Sequence, residues 1–252
     1  MQVFKIPDSM KEGSKYTFCP GCDHGIAIRL IAELIDELEL KEKTICATSI
    51  GCSVFLYDFL NIDCIEAPHG RAMAEATGVK RARPNNFVFT YQGDGDLAAI
   101  GTAETVHSAT RGENITVIFI NNTIYGMTGG QMAPTSLPKQ VTQTTPYGRD
   151  VSYSGYPVRV VEMLSVLDGV ALAQRVAVNS VKNVATAKKA IKKAFQNQID
   201  EKGFSIIEVL STCPTNWGLS PTEALDWLEN NMIPYYPLGV YKDSVKGARL
   251  NG

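Results

Sequence analysis

The residues with the clearest chemical potential are an acid set among glycines and a pair of neighbouring amides. Gly93-Asp94-Gly95-Asp96 places Asp94 between two glycines. Glycine lets a backbone approach a diphosphate closely and take the tight turn this requires. A helix that follows would point its N-terminal N–H groups at the same anion. Asp94 is then a natural ligand for Mg²⁺, a hard ion that takes oxygen donors and bridges phosphates. Asn121-Asn122 follows after an interval of 25 residues, and an amide oxygen there would complete the coordination without adding charge. Two surface turns would use the same residue types, but both motifs fall where a buried strand is predicted to end.

The thiols form a second set. Six cysteines occur, at 19, 22, 46, 52, 64 and 213. Cys19-Pro20-Gly21-Cys22 fits half a zinc site, a redox dithiol or half of an iron–sulfur site. No second CxxC follows, as a zinc ribbon would need. The segment before it, Gly13–Phe18, is a poor strand for a thioredoxin-like motif. A Cys₄ cluster with two scattered ligands remains, beside zinc and purely structural thiols. Cys52 and Cys213 are the leading candidates because each lies in a loop after a predicted strand. Cys64 is the weaker choice, and Cys46 sits inside an apolar strand where a thiol usually packs. Of the histidines, His24 reads as a helix cap or surface residue and His107 as structural. His69, before Gly70 and Arg71, is a candidate for the site; either it or Arg71 could bond a phosphate or carboxylate.

The elements that must position these groups alternate. Helical spacing of Leu30, Ile31, Leu34, Ile35 and Leu38 predicts a helix from Asp23. Short buried strands are expected at 43–48, 87–91, 115–120 and 204–210, and helices at 71–83, 97–111 and 182–199. Such alternation implies a doubly wound, mostly parallel α/β sheet, whose ligands bind at the carboxyl ends of the strands. Residues 126–158 show no sustained period, and a loop that long is usually functional or covers a partner. Residues 1–18 read as an extended lead-in and 221–252 as a tail wrapping the surface of one domain spanning 1–252.

Composition narrows the class. A formal charge of −2 gives no basic excess for nucleic acid. Apolar runs such as Ile115–Ile120 are too short to span a bilayer. The first 16 residues lack the apolar stretch of a signal peptide, so a cytoplasmic protein is expected. A dinucleotide-dependent dehydrogenase would show G-x-G-x-x-G after an early strand, and none appears. The Lys188, Lys189, Lys192 and Lys193 run reads as a solvated helix face.

Taken in order, Cys19-Pro-Gly-Cys22, Ile50-Gly-Cys52-Ser53, His69-Gly-Arg71, Gly93-Asp-Gly-Asp96, Tyr125-Gly-Met-Thr-Gly-Gly-Gln131 and Cys213-Pro resemble the thiamine-diphosphate-binding β subunit of 2-oxoacid:ferredoxin oxidoreductases. The likeness is to the 2-oxoglutarate and 2-oxoisovalerate branches, and it runs from about Tyr16 to Leu238. The resemblance implies a [4Fe-4S] cluster on Cys19, Cys22, Cys52 and Cys213, and Mg²⁺ on Asp94, Asn122 and the Ile124 carbonyl. It places thiamine diphosphate against Ile50, Gly51, Cys52, Ser53, His69, Gly95, Asp96, Met127 and Thr128. It further implies a reaction of 2-oxoacid, coenzyme A and ferredoxin, with α and further γ or δ subunits as partners. Pyruvate or indolepyruvate as substrate, or a non-catalytic metal-binding scaffold of the same fold, are the alternatives. Some relatives carry a lysine where this chain has Gly129, which weakens the case for 2-oxoglutarate. The glutamate that activates the cofactor is expected from another subunit.

Overall fold

Strands buried on both faces read as continuous apolar runs, and the centre of this protein is built from them. In the computed structural model, which describes residues 5–244, β1 is Thr44–Ser49, β2 Asp63–Ala67, β3 Phe87–Gly93 and β4 Thr116–Asn121. A two-stranded hairpin, β5 (Ile124–Tyr125) with β6 (Gln131–Met132), precedes β7 (Val170–Ala177), β8 (Phe204–Leu210) and β9 (Gly239–Asp243). The main sheet runs β2-β1-β3-β4-β8-β7-β9. All its pairings are parallel except β9 on β7. Every residue of β4 and β8 is buried.

The helices are α1 (His24–Glu37), α2 (Ala72–Ala82), α3 (Thr102–Thr110), the short α4 (Val151–Ser154), α5 (Val160–Ser165), α6 (Val181–Ile199), α7 (Pro214–Trp217), α8 (Pro221–Trp227) and α9 (Ile233–Tyr235). Apolar residues of α1 and α6, among them Ile31, Ile35, Ile191 and Phe195, pack with Phe89 and Ile118 on one face of the sheet. Met73, Ala76, Val161 and Leu164 from α2 and α5 pack with Val88 and Val117 on the other. This is the doubly wound α/β architecture expected. Strand order reverses at β1: the chain leaves it toward β2 and returns across it to β3. Such switch points open a crevice at the strands' carboxyl ends.

Three expectations are adjusted. The helix predicted at 97–111 begins as a wide π turn, Asp96–Ile100, before α3. Gly101 interrupts it because the Gly70 backbone packs there; a Cβ on Gly101 would stand 2.9 Å from Gly70 O. Regular structure resumes at α5 and β7, well before residue 182. The tail from 221 carries α8, α9 and the edge strand β9, and its last part lies outside the described residues.

A buried ion pair braces the strand ends. Arg175 and Glu208 are both fully buried, with Nε 2.8 Å from Oε2. Arg175 also donates to Glu162, the Pro237 carbonyl and the Tyr241 hydroxyl, so each guanidinium nitrogen has an acceptor. The other Glu208 oxygen accepts from Asn121 Nδ2 at 2.7 Å, which carries the brace to the amide loop.

Candidate functional site

The crevice at the carboxyl ends of β1, β3 and β4 is a cleft of about 680 Å³, counting the space open to solvent. From the end of β1 it is lined by Ile50, Gly51, Cys52 and Ser53. Gly51 has φ 123°, which L side chains rarely adopt. The end of β3 contributes Asp94, Gly95 and Asp96, and the end of β4 Asn122, Ile124, Met127 and Thr128. His69 also faces the cleft. Each of these expected residues is therefore brought to one place.

Asp94 is 3% exposed. One oxygen accepts from the Gly95 N–H at 2.8 Å and the other from the Thr135 hydroxyl at 2.6 Å. Burial pushes its carboxyl up to about 6, against those hydrogen bonds, so a nearby cation would favour its charged form. Asn122 Oδ1 accepts from the Ile124 N–H at 3.2 Å. Between them Thr123 holds φ 61°, a strained setting for a β-branched residue. It is over-determined: its N–H donates to Asn121, its hydroxyl accepts from Gln140, and its carbonyl accepts from Ser136. The loop is thereby held beside Asp94, giving a hard-oxygen donor set suited to Mg²⁺. A Cβ on Gly95 would stand 2.0 Å from the Tyr125 ring, so only glycine fits the wall there.

Asp96 is a hub. Its Oδ1 accepts from Ser49 at 2.6 Å and from the Gly70 N–H, and its Oδ2 from Gln92 at 2.6 Å. It thus ties β1, β3 and the His69 loop together. His69 Nδ1 lies 2.9 Å from Asp96 Oδ1, yet out of line for a hydrogen bond, and that nitrogen has no partner. Arg71 is not brought into the cleft. Its guanidinium turns onto α3, 2.9 Å from Glu104, and donates to the Gly70 and Ile100 carbonyls, which corrects the expectation that it faces a ligand.

The thiols group as two sets. Cys19 and Cys22 share a turn, the Cys22 N–H donating to Cys19 O at 3.0 Å. A Cβ on Gly126 would stand 3.2 Å from Cys52 Sγ and 3.6 Å from Cys213 Sγ, so the missing side chain leaves room between them. Burial pushes the Cys52 thiol up to about 11, reinforced by Cys213 and Cys19. It pushes Cys22 up to about 12, with Cys213 and Cys52 adding to the effect. Cys213 is raised by burial and also feels Cys19. The four thiols thus feel one another's charge, and a positively charged iron core would relieve the cost of deprotonating them. Among the described residues no three His, Cys, Asp or Glu side chains come close enough for a single ion; a cubane cluster holds its thiolates at separated corners. Cys46 and Cys64 lie apart, paired with one another across β1 and β2.

Comparison with known proteins agrees with this geometry. Residues 49–209 match the family "Thiamine pyrophosphate enzyme, C-terminal TPP binding domain". The ketoisovalerate oxidoreductase subunit VorA of Methanothermobacter marburgensis is 43% identical over 96% of this chain and 52% of its own length. The 2-oxoglutarate synthase subunit KorB of Methanocaldococcus jannaschii is 37% identical over 86% of this chain and 78% of its own. The chain belongs to the thiamine-pyrophosphate-binding subunits of the 2-oxoacid:ferredoxin oxidoreductases. A solved 2-oxoglutarate:ferredoxin oxidoreductase from Magnetococcus marinus superposes with a TM-score of 0.79, at 26% identity, covering 97% of this chain and 86% of that one. The chain spans about half the length of the VorA relatives it matches.

Sequence reasoning missed His24, which lines the cleft, and Thr135, which supports Asp94 from behind it. His24 is not a surface cap: it is 2% exposed, stacks on Phe18 and bonds Tyr91 through Nδ1 at 2.7 Å. Burial lowers it to about 4, keeping it neutral. Its place at the start of a helix two residues after Cys22 was the available signal. Thr135, the partner of Asp94, comes from the aperiodic stretch and had none.

Proposed function

We propose that this chain, as a single cytoplasmic domain, holds thiamine diphosphate, Mg²⁺ and a [4Fe-4S] cluster. With partner subunits it would convert a 2-oxoacid, coenzyme A and oxidised ferredoxin into acyl-CoA, CO₂ and reduced ferredoxin. The observation that carries the reading is Cys52, which lines the cleft and, with Cys213, flanks Gly126. Bound there, thiamine diphosphate supplies an electron sink for decarboxylation, and the cluster an outlet for electrons.

The chain's own residues supply geometry and electrostatics. Asp94, Asn122 and the Ile124 carbonyl would hold Mg²⁺ on the diphosphate. Gly51 and Gly95 let the backbone come close, while Ile50, Ser53, Met127 and Thr128 pack around the cofactor. His69 lies with Nδ1 turned toward Asp96, and its part-exposed ring would offer its other nitrogen to a phosphate or a carboxylate oxygen in the cleft. A branched-chain 2-oxoacid such as 2-oxoisovalerate is the favoured substrate: Ile50 and Met127 are apolar and exposed at the cleft, and residue 129 is glycine. 2-Oxoglutarate is the second choice, ahead of pyruvate and indolepyruvate.

Among the described residues the carboxylates lining the cleft are Asp94 and Asp96, with no glutamate. The activating glutamate is therefore assigned to an α subunit, with γ or δ subunits and ferredoxin completing the complex. Exposed Val141, Tyr147, Tyr153 and Tyr156 in the irregular stretch are suited to such a junction. No helix among the described residues is long and apolar enough to cross a membrane. The test is composition: anaerobically purified protein should carry about four irons per chain with broad thiolate-to-iron absorbance, and one thiamine diphosphate. Colourless protein with zinc instead of iron would overturn the cluster assignment.

A further inference from the structure

Cys46 and Cys64 take no part in the site described above, yet their arrangement is chemically specific. They are in-register partners on the neighbouring parallel strands β1 and β2. Adjacent strands lie about 4.8 Å apart, and a disulfide spans Cα atoms separated by about 4.4–6.8 Å. The two backbones thus already stand at bridging distance. In-register side chains of a parallel pair project to the same face of the sheet, so the two thiols are neighbours.

The pair is also asymmetric. Cys46 is fully buried in the core under α1, whereas Cys64 is half-buried on the edge strand. Cys64 opens into a surface hollow lined with Lys11, Tyr57, Ile62 and Glu66. The neighbouring Cys46 holds the Cys64 thiol below its usual range, with the charge of Lys11 acting the same way against burial. Burial pushes the Cys46 thiol up. One sulfur therefore faces the hollow and is the easier of the two to ionise, while its neighbour is held in the core.

We propose that Cys64 and Cys46 form an oxidisable dithiol, in which a small hydroperoxide entering the hollow oxidises Cys64 and Cys46 closes the disulfide. In the first step the Cys64 thiolate attacks the peroxide oxygen. An S–O bond forms, the O–O bond breaks, and the departing hydroxide or alkoxide takes a proton. In the second, Cys46 attacks the sulfenic sulfur; the S–S bond forms, the S–O bond breaks, and the Cys46 proton leaves with the hydroxide as water. Two thiols lose two electrons in total and one hydroperoxide gains them. The proposal stands independently of the cofactor assignment, since neither thiol is among the four assigned to the cluster.

The experiment uses the holoprotein, purified anaerobically and exposed to hydrogen peroxide in small excess. Remaining thiols are alkylated, and the protein is digested with chymotrypsin, which cuts between Cys52 and Cys64 at Phe55, Tyr57 and Phe59. Tandem mass spectrometry should find the peptide that carries Cys46 and Cys52 joined to the Cys64 peptide, with fragment ions placing the bridge on Cys46 and the alkyl group on Cys52, and dithiothreitol should separate the two. In Cys46→Ala the sulfenic acid at Cys64 should persist, raising its dimedone adduct about tenfold over wild type. In Cys64→Ala, Cys46 should stay reduced. The wild-type digest decides the matter even if a variant folds poorly. The proposal is overturned if Cys64 stays reduced while other thiols oxidise, if it pairs with Cys52 instead, or if Cys46→Ala leaves the dimedone adduct unchanged.

Discussion

Replacing Arg175 with methionine tests how the fold supports the site. Arg175 and Glu208 are both fully buried, and each guanidinium nitrogen has an acceptor. Methionine fills the aliphatic volume but leaves the Glu208 carboxylate without its cation. Breaking one side of a buried pair destabilises by about 3–5 kcal/mol. For a chain of this size that lowers Tm by roughly 6–20 °C. Burial already raises the Glu208 carboxyl despite Arg175, and removing the cation raises it further. Between the unfolded carboxylate's value, about 4.3, and that raised folded value, the folded state keeps a proton the unfolded state has lost. Stability therefore falls as pH rises through this window. The deficit of Arg175→Met should be small near pH 4 and complete above the folded value. Adding Glu208→Gln removes the charge but keeps an acceptor for Asn121, so the double variant should recover much of the loss and its pH dependence. Chemical denaturation from pH 4 to 8 reads all three. A single variant within about 1 kcal/mol of wild type at pH 8, or a deficit that does not shrink on acidification, would refute the reasoning.

Other outcomes follow from the site. Asp94→Asn keeps the shape of a buried side chain but removes the charge, so bound thiamine diphosphate should fall about tenfold or more, as expected for losing a charged partner worth about 1.5–3 kcal/mol; undiminished thiamine content in purified protein would sink the assignment. Cys213→Ala should strip most iron, measured by colorimetric assay, whereas Cys46→Ala should leave it nearly unchanged; equal losses would mean that the four thiols do not act as one set. Gly95→Ala drives a methyl group to 2.0 Å from the Tyr125 ring, so calorimetry should show cofactor affinity reduced while the circular dichroism spectrum is kept; wild-type affinity would show that the wall can yield.

Much of this was legible in the sequence because the decisive elements are buried on both faces. β3, β4 and β8 are mainly apolar and buried along nearly their whole length, and the loops that end β3 and β4 carry Gly93-Asp94-Gly95-Asp96 and Asn121-Asn122. The strands β2, β7 and β9 were missed for a common reason. β2 and β9 are edge strands with exposed Asp63, Glu66 and Asp243, and β7 carries Arg175, whose polarity hides a core position that only tertiary pairing with Glu208 makes tolerable. Thr135 was invisible because its role depends on a loop folding back 41 residues to meet Asp94. Arg71 misled because an arginine after His-Gly suits an anion, while its nearest carboxylate, Glu104, lies across in α3.

The most direct test is 2-oxoacid-dependent electron transfer by the reconstituted complex. The chain is loaded with thiamine diphosphate, Mg²⁺ and iron, an α subunit is added or withheld, and reduction of ferredoxin or a viologen dye is followed after adding 2-oxoisovalerate and coenzyme A. The account predicts turnover only with the partner present, abolished by Asp94→Asn. Fully loaded chain and partner together that reduce no acceptor with any 2-oxoacid would contradict it, as would robust turnover by the chain alone.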